Sequence, residues 1–377
     1  MKIAFDLRRI KNPGIGRYMR CLTEAVLAQG CDYEYLLILP PGNPKPAGSG
    51  VPNVECIESD LPYYSIREQF ELPRILKRHG ADVLHSPHFN VPLRRVCPTV
   101  ATIHDVIYLA CPGDLPSRAG RLYYSAMMRA AVRVADRILT DSEWSRIDII
   151  HHIGCVPEKI EVVYPAVPAG FAAVKDVQQV NGVLSRLGID SDYILYTGIY
   201  KPRKNHAALL HAFCRLLGNG IRAKLVIAGP LDGGEIILRQ LTSTLGIENH
   251  VVFAGFVSDH DLPALYTGAR IYACPSLYEG FGFTILEAMA CCVPVVCSRE
   301  TSLPEVAGDA ALFADPRNID EFAGALEQAF NNESLRHQLI ARGLANVKRF
   351  SWARAASHAL STYKQVCGSE LEKAVCA

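Results

Sequence analysis

Short runs rich in β-branched and aromatic residues alternate with stretches of helical periodicity along most of this 377-residue chain. Such alternation predicts parallel sheets covered by helices on both faces, and therefore an α/β protein. The predicted strands of the first half are 2–5, 35–39, 82–85, 100–103, 137–140 and 159–163. Those of the second half are 193–197, 223–227, 251–254, 271–274, 294–297 and 311–314.

The alternation is interrupted at 164–191, where the segment YPAVPAGF holds two prolines and one glycine. We therefore predict two domains, 1–170 and 171–350, which agrees with a typical domain size of roughly 100–200 residues. A final helix at about 351–377 is predicted to pack back on the first domain. Ligands bind open sheets of this kind outside the carboxyl ends of the strands, so the loops after strands are the candidate sites.

Composition excludes few function classes. A net charge of +1 gives no sign of a nucleic-acid partner. The 13 cysteines are odd in number, and several stand in apolar runs (Cys97, Cys274, Cys297), which predicts reduced, core-packed thiols. The apolar stretch at the start of the sequence is too short for a signal peptide and is soon followed by charged residues. No apolar run is long enough to span a bilayer. We therefore expect a cytoplasmic location.

The predicted helix 117–135 is unusually basic. Helical spacing places Arg118, Arg129 and Arg133 on nearly one face. The simpler interpretation, which we favour at this point, is a solvated helix face. The alternative is peripheral contact with the anionic inner face of the cell membrane.

The segment PSLYEGFGFTILEAMA at 275–290 follows a predicted strand and opens a predicted helix. Its glycines, among them Gly282, let the backbone approach a ligand closely. The amides near Phe283 and Thr284 have no partner within the helix, so they can bind an anion. Glu279 lies in the loop and Glu287 just over a turn into the helix. Two glutamates alone would indicate only a capped surface helix, but the glycine loop favours a binding site.

Glu279 and Glu287, with seven residues between them, resemble the E-x7-E signature of the retaining glycosyltransferases of family GT4. That family has the GT-B fold, in which two Rossmann-like parallel-sheet domains face each other across a cleft. The resemblance implies that Glu287 takes the ribose hydroxyls of a nucleotide. It implies that Glu279 is catalytic and contacts the transferred sugar. The segment with Phe256 and Val257 resembles the one whose backbone holds the base.

The segment TGIYKPRKN at 197–205 resembles the family's diphosphate-binding loop, which carries a basic pair. Lys204 matches the family lysine. The leaving group is a nucleoside diphosphate, and charge-assisted hydrogen bonds to it are worth about 1.5–3 kcal/mol each. Lys204 and the helix terminus at 283 would then do what a divalent metal does elsewhere. We therefore expect no metal and no cofactor besides the donor substrate.

Two positions depart from the family pattern. Ile199 stands where the family has arginine, and Lys201 or Arg203 is the candidate replacement. Cys292 stands where relatives have glycine after the helix. Glycine fits a left-handed helix cap best, so Cys292 predicts a strained or altered turn.

Two motifs of the first domain complete the predicted site. His104, in the sequence THD at a strand end, matches a family histidine whose main chain and ring contact the transferred sugar at the interdomain cleft. The turn NPGIGRY at 12–18 resembles half of a dinucleotide fingerprint whose third glycine is missing. In related transferases this turn approaches the donor phosphates and the acceptor. Gly16 is therefore predicted to contact the donor, and Arg17 to serve either ligand or cap the turn.

The resemblance implies transfer of a hexose from a nucleoside diphosphate to a hydroxyl, with the anomeric configuration retained. The segments IYLACPGDLP and YKPRKN resemble bacterial mannosyl- and deoxymannosyltransferases of surface-polysaccharide assembly. They favour a GDP-sugar donor and a glycan or lipid-linked glycan acceptor. A UDP-sugar transferase and a sugar-nucleotide epimerase on the same fold remain as alternatives. The incomplete fingerprint argues against a dehydrogenase, and retention of Lys204 and both glutamates argues against a non-catalytic protein.

Overall fold

The computed structural model describes residues 1–12, 14–30, 32–115, 117–231 and 233–375, and side-chain surroundings as far as residue 368. Pro13 of the glycine turn lies outside the described residues, as do 376 and 377 of the predicted C-terminal helix.

The strands and helices alternate along the chain as the sequence pattern predicts. The strands are β1 (Lys2–Asp6), β2 (Glu34–Leu39), β3 (Val54–Glu58), β4 (Val83–Ser86), β5 (Thr99–Thr102), β6 (Arg137–Thr140), β7 (Ile160–Val162), β8 (Tyr193–Thr197), β9 (Lys224–Ala228), β10 (Val251–Gly255), β11 (Ile271–Cys274), β12 (Val295–Ser298) and β13 (Ala311–Ala314). The helices are α1 (Ile15–Gln29), α2 (Glu68–Arg78), α3 (Ile107–Ala110), α4 (Arg118–Val134), α5 (Glu143–Ile153), α6 (Val177–Arg186), α7 (His206–Gly218), α8 (Gly234–Thr244), α9 (Leu262–Thr267), α10 (Phe283–Ala290), α11 (Leu303–Ala307), α12 (Ile319–Asn331), α13 (Glu333–Val347) and α14 (Trp352–Val375).

The chain forms two compact units, Met1–Pro165 with the segment from Ser351 onward, and Ala166–Phe350. The last helix, α14, joins the first unit through buried polar contacts as well as apolar ones. Tyr363 Oη lies 2.6 Å from His85 Nδ1 on β4, and Thr362 Oγ1 donates to Glu161 Oε2 on β7 at 2.7 Å. These bonds fix the orientation of α14 on the sheet.

Each unit contains one parallel sheet. Within the described residues, the first has seven strands in the order β3-β2-β1-β4-β5-β6-β7, and the second has six in the order β10-β9-β8-β11-β12-β13. In the first sheet the strand order reverses between β1 and β4, and in the second between β8 and β11. The loops after two such strands leave on opposite faces, which opens a crevice where open α/β sheets bind ligands.

The strands are apolar along most of their length because helices cover both faces of each sheet. In β2, Leu36, Leu37 and Ile38 are all fully buried, although their side chains alternate between the two faces. Burying one such side chain contributes about 1.5–3 kcal/mol. The predicted core thiols Cys97, Cys274 and Cys297 are buried as well. The 11 described cysteines are free thiols, and burial raises the pKa of Cys274 to about 11.

Three elements differ from the sequence prediction, among them the four-residue helix α3 (Ile107–Ala110). The edge strand β3 was not predicted, because its residues are only half-buried and Glu55 interrupts the apolar pattern. The interruption at 164–191 was predicted to hold no element, but it contains α6. This helix is polar on one face, includes Gly182, and is capped by Asp176, whose Oδ1 accepts from Gln178 N at 2.9 Å. A strong cap and two buried valines were enough to form it.

Two helix ends depend on single residues, and the altered turn predicted at Cys292 is confirmed. Ser142 caps α5, with its hydroxyl accepting from Ser145 N at 3.0 Å. Cys292 follows α10 with a φ of 60°, the left-handed conformation that glycine favours. On α4, Arg118, Arg129 and Arg133 are all exposed, as the helical spacing predicts. Among the described helices, none combines the length and the hydropathy needed to cross a membrane.

Candidate functional site

The loops after β8 and β11 meet at the point where the strand order of the second unit reverses. Leu277 N donates to the carbonyl of Arg203 at 2.7 Å. The Asn205 side chain donates to the carbonyls of Pro275 and Pro316 at 3.3 and 2.8 Å. Asn205 adopts a φ of 56°, which turns the chain from a short 3-10 turn, Pro202–Lys204, into α7. The backbone therefore joins the two predicted motifs directly.

Lys204 and Glu279, predicted from separate motifs, form an ion pair in this structure. Lys204 Nζ lies 2.5 Å from Glu279 Oε1, and both side chains are largely buried. Ser276 Oγ donates to the same carboxylate oxygen at 2.7 Å. Arg203 Nη1 lies 3.9 Å from Glu279 Oε2. One carboxylate is thus held by two cations and a hydroxyl.

The charges of this cluster leave a net positive site. Burial by itself would raise the pKa of Glu279, but Lys204 and then Arg203 outweigh it and hold that pKa below its usual value. Glu279 is therefore ionised at neutral pH. Two cations against one carboxylate leave a single positive charge in a mostly buried place, which favours an anionic ligand.

The structure also distinguishes the two candidate replacements for the family arginine at Ile199. Arg203 faces Glu279, with its side chain 13% exposed. Lys201 instead lines a separate cavity of about 110 Å³ between α7 and α8, together with Tyr200 and His206. The second cation of the Glu279 cluster is therefore Arg203.

The loop 279–282 is fixed by hydroxyl groups that the sequence analysis did not identify. Thr301 Oγ1 accepts from Glu279 N at 3.0 Å, and Ser302 Oγ donates to the carbonyls of Glu279 and Phe281 at 2.9 and 3.0 Å. These residues follow β12, the next strand along the sheet. Their only sequence signal is hydroxyl residues in a loop after a buried strand.

Gly282 is required by the geometry of this turn. Its φ is 99°, and a Cβ there would lie 2.8 Å from Leu303 Cδ2. The helix α10 begins at the next residue, Phe283, followed by Thr284, and no side chain caps it. The start of an uncapped helix carries partial positive charge, which adds to that of Lys204 and Arg203.

Glu287 lies deeper in the unit than its predicted partner in the motif. It is 2% exposed, and its Oε2 accepts from Tyr266 Oη at 2.9 Å. The Tyr266 hydroxyl lies 2.7 Å from Thr197 Oγ1 at the end of β8. This chain of hydroxyls ties the Glu287 carboxylate to the strand that precedes the Lys204 loop. Its contact with a ribose stays a prediction.

The predicted base-binding segment follows β10, at the edge of the second sheet. Phe256 is 78% exposed, and Val257 is half-buried. Gly255 has a φ of 62°, and its carbonyl accepts from Gly229 N at 2.7 Å, which links this segment to the loop after β9. So exposed an aromatic ring is free to stack on a planar ligand.

In the first unit, His104 is held by protein groups on both ring nitrogens. Nδ1 lies 2.8 Å from Asp141 Oδ2, and Nε2 lies 3.2 Å from the carbonyl of Pro87. Burial lowers the pKa of His104, but Asp141 outweighs this, so the pKa is raised. Both partners are acceptors, which favours the protonated ring. In that state it cannot act as a general base, and its predicted contact with a sugar stays a prediction.

Gly16 has a packing role that the fingerprint resemblance did not show. A Cβ at this position would lie 2.1 Å from the carbonyl oxygen of Ile10, so no side chain fits. Gly16 N donates to the carbonyl of Asn12 at 2.8 Å. These contacts explain the glycine locally, and its contact with the donor stays a prediction.

Within the described part of the chain, no group of three or more His, Cys, Asp or Glu side chains is arranged to hold a metal ion. The described groups that supply positive charge at the Glu279 cluster are the side chains of Lys204 and Arg203 and the start of α10.

Two Rossmann-like parallel sheets, with a net positive cluster where the strand order of the second one reverses, agree with the GT-B class of fold. A family model described as glycosyl transferases group 1 matches 185–345, and one described as glycosyltransferase family 4 matches 13–170. The chain belongs to glycosyltransferase family 4, and it is a glycosyltransferase. The resemblance predicted from the two glutamates is confirmed.

Curated relatives and solved structures agree with this assignment. The O-antigen chain mannosyltransferase B of Escherichia coli is 36% identical over 75% of this chain and 74% of that protein. A serotype-specific mannosyltransferase WbdA of E. coli is 30% identical over 76% of this chain and 35% of that protein. A sucrose-phosphate synthase from Thermosynechococcus elongatus superposes with a TM-score of 0.78 at 18% identity, covering 98% of this chain and 100% of that one. WaaG, a glycosyltransferase involved in lipopolysaccharide biosynthesis, superposes with a TM-score of 0.70 at 17% identity, covering 95% of this chain and 98% of that one.

Proposed function

We propose that the protein transfers mannose from GDP-mannose to a hydroxyl of a glycan or lipid-linked glycan during surface-polysaccharide assembly, with retention of the anomeric configuration. The observation that carries the proposal is the net positive cluster of Arg203, Lys204 and Glu279 beside the uncapped start of α10. The mannosyltransferase relatives support the choice of sugar.

In the proposed reaction, groups of this chain bind the donor while the bonds at sugar C1 break and form. Lys204, Arg203 and the amides at the start of α10 bind the diphosphate and stabilise the charge that grows on it as the bond to sugar C1 breaks. The acceptor oxygen bonds to C1 on the same face, and its proton passes to the departing phosphate. Glu279 orients the cation-like sugar, while the backbone near Phe256 and Val257 holds the base and Glu287 the ribose.

The test is a donor panel with one acceptor. GDP-mannose, a GDP-deoxymannose and UDP-glucose are each incubated with a mannose-terminated octyl disaccharide, and products are identified by mass spectrometry. NMR of the new linkage gives its anomeric configuration. We expect transfer from GDP-mannose with retention, and thermal stabilisation of about 2.7 kcal/mol by GDP at 100 times its dissociation constant.

The panel also separates the alternatives. Turnover with UDP-glucose alone would support a UDP-sugar transferase and exclude the proposed donor. Conversion of a nucleotide sugar to an isomer without acceptor would support an epimerase. Transfer with inversion would overturn the proposed stereochemistry.

We also propose peripheral contact with an anionic membrane through Arg118, Arg129 and Arg133. All three are exposed on α4, and Leu122 between them is 73% exposed. Each arginine near an anionic surface contributes about 1 kcal/mol. The triple Arg→Gln variant is therefore expected to lose binding to vesicles that contain anionic lipid, whereas Arg146→Gln on α5 is not. No binding of the native protein to such vesicles would favour the simple solvated face.

A further inference from the structure

The first unit has its own point of strand-order reversal, between β1 and β4, and polar residues meet there too. Asp6 ends β1, and Arg8 follows it. Arg8 Nε and Nη2 donate to the Asp6 carboxylate at 2.7 and 2.6 Å, and Nη2 also donates to Glu68 Oε1. Asn90, in the loop after β4, donates to that same Glu68 oxygen at 2.7 Å. All four side chains are buried.

This buried network fixes the segment that precedes α2. The Arg8 guanidinium donates to the carbonyl of Leu61 at 3.1 Å, and Tyr63 Oη donates to Asp6 Oδ1 at 3.3 Å. Tyr64 N donates to Glu68 Oε2 at 3.0 Å. Tyr64 is thereby held at a φ of 63°, a left-handed conformation that is unfavourable for a non-glycine residue. Strain of this kind is maintained mainly at ligand sites.

The strained residue presents an aromatic surface. Tyr64 is 39% exposed and stacks on Phe89, with ring centroids 5.9 Å apart and an angle of 24°. Tyr123 of α4, itself 44% exposed, meets Tyr64 edge-on at 6.0 Å. The Arg9 guanidinium lies 5.3 Å from the Tyr64 ring centroid, and its Nη1 donates to Tyr64 Oη at 2.5 Å. Exposed aromatic faces are therefore combined with a fixed cation.

His88 lies beside this surface and has a hydrogen-bond donor at each of its two ring nitrogens. A neutral imidazole can accept at only one of them. Asn90 N donates to His88 Nδ1 at 3.3 Å, and Arg9 Nη1 lies 3.0 Å from His88 Nε2. His88 is 4% exposed, and burial and Arg9 lower its pKa, so the ring is neutral and carries one N–H. With Nδ1 accepting, the N–H is on Nε2 and points at another donor, Arg9. A ligand oxygen alongside these two nitrogens would accept from both.

We propose that Arg9, Tyr64 and His88 form the subsite that binds a sugar residue of the acceptor. A pyranose ring has apolar C–H faces and hydroxyl groups at its edge. Tyr64, with Tyr123 at its side, covers the C–H face, and a hydroxyl oxygen accepts from Arg9 and His88. This inference rests on the proposed transferase function, which supplies the need for an acceptor sugar.

The test uses Tyr64→Gly in the full chain. Glycine adopts the φ of residue 64 without strain, which offsets part of the packing energy lost with the ring, so the variant is expected to fold. With saturating GDP-mannose and the mannose-terminated octyl disaccharide, we expect the acceptor KM to rise at least about tenfold. The donor KM and the acceptor-independent hydrolysis of GDP-mannose should stay within twofold of the native values, and thermal unfolding should remain a single cooperative transition. Arg9→Gln should also raise the acceptor KM.

Tyr33→Ala is the matched control, since Tyr33 is a partly exposed tyrosine of the same unit that contacts Lys364 of α14 instead. It should leave the acceptor KM within twofold. An acceptor KM within twofold of the native value in Tyr64→Gly, or an equal rise in the donor KM, would overturn the proposal.

The sugar subsite can be tested even if the proposed transferase function fails. If the native protein transfers no sugar, the proposed function fails, and saturation-transfer NMR with the same disaccharide decides the subsite. Signals that are present with the native protein and lost in Tyr64→Gly would support it. Signals retained in the variant, or absent from the native protein, would refute it.

Discussion

The ion pair between Lys204 and Glu279 predicts opposite effects on nucleotide binding when each partner is neutralised. Lys204→Met removes the cation that the diphosphate needs. Glu279→Gln removes the carboxylate that competes for that cation and repels the diphosphate. The two side chains are 13% and 11% exposed, so solvent screens neither change strongly.

The magnitudes follow from the contacts. Loss of one charge-assisted hydrogen bond, about 1.5–3 kcal/mol, should weaken GDP binding by about 10- to 150-fold in Lys204→Met. Two unit charges about 8 Å apart interact by roughly 2 kcal/mol at an effective dielectric constant of 20, so Glu279→Gln should tighten GDP binding by at most about 30-fold. Lys204→Met leaves the Glu279 carboxylate with Ser276 and Arg203, so we expect a loss of stability of about 1–3 kcal/mol, below the full value for breaking a buried pair.

Isothermal titration calorimetry with GDP measures the affinity of the native protein and of the two variants, and so tests the predicted loss and the predicted gain. Lys201→Met is the matched control, because Lys201 belongs to the same loop but lines the separate cavity. It should change the GDP affinity by less than about twofold. Despite tighter GDP binding, Glu279→Gln should lower kcat by at least about 100-fold if Glu279 acts on the transferred sugar.

Weaker GDP binding in Glu279→Gln would refute the charge argument. Equal losses in Lys204→Met and Lys201→Met would show that the cluster is not the diphosphate site. Either result would remove the observation on which the proposed donor contact depends.

Three further predictions test the local geometry. Gly16→Ala places a Cβ against the carbonyl of Ile10, so urea denaturation should show a loss of more than about 2 kcal/mol, and an unchanged midpoint would contradict the packing argument. Cys292→Gly relieves the left-handed strain at a φ of 60° and should stabilise the protein by up to about 1 kcal/mol, whereas a lower melting temperature would show that the thiol contacts matter more. Asp141 raises the pKa of His104, so the pair of Asp141 and protonated His104 stabilises the folded protein. This contribution is complete below the unfolded pKa of about 6.5 and is lost as pH rises through the folded pKa. Stability should therefore fall more between about pH 6 and pH 9 in the native protein than in Asp141→Asn, and parallel pH profiles would refute the assignment.

Much of the architecture follows from local patterns. Residues 137–140 and 193–197 have the element bounds that periodicity predicts, because each burial pattern depends only on neighbouring residues. The edge strand β3 and the helix α6 were missed for the same reason. An edge strand is half-exposed, and Gly182 weakens the helical pattern, so the local signal is poor in both.

The sequence predicted that the two loops form one donor site, but it did not predict the ion pair within that site. Glu279 and Lys204 lie in different motifs, and their meeting depends on β8 and β11 becoming neighbours in the sheet. The sequence also could not decide whether Arg203 or Lys201 joins the cluster. Both stand within three residues of Lys204, and only the turn at Pro202–Lys204 sets the directions of their side chains.

The sequence by itself determined the α/β class and the family, and it predicted the residues of the site, because these depend on residue type and spacing along the chain. Tertiary structure alone decided which groups act together. It brought Asp6, Arg8, Glu68 and Asn90 into one buried network, and it placed acceptors at both nitrogens of His104. Strand order fixes which loops are neighbours, and no local pattern encodes strand order.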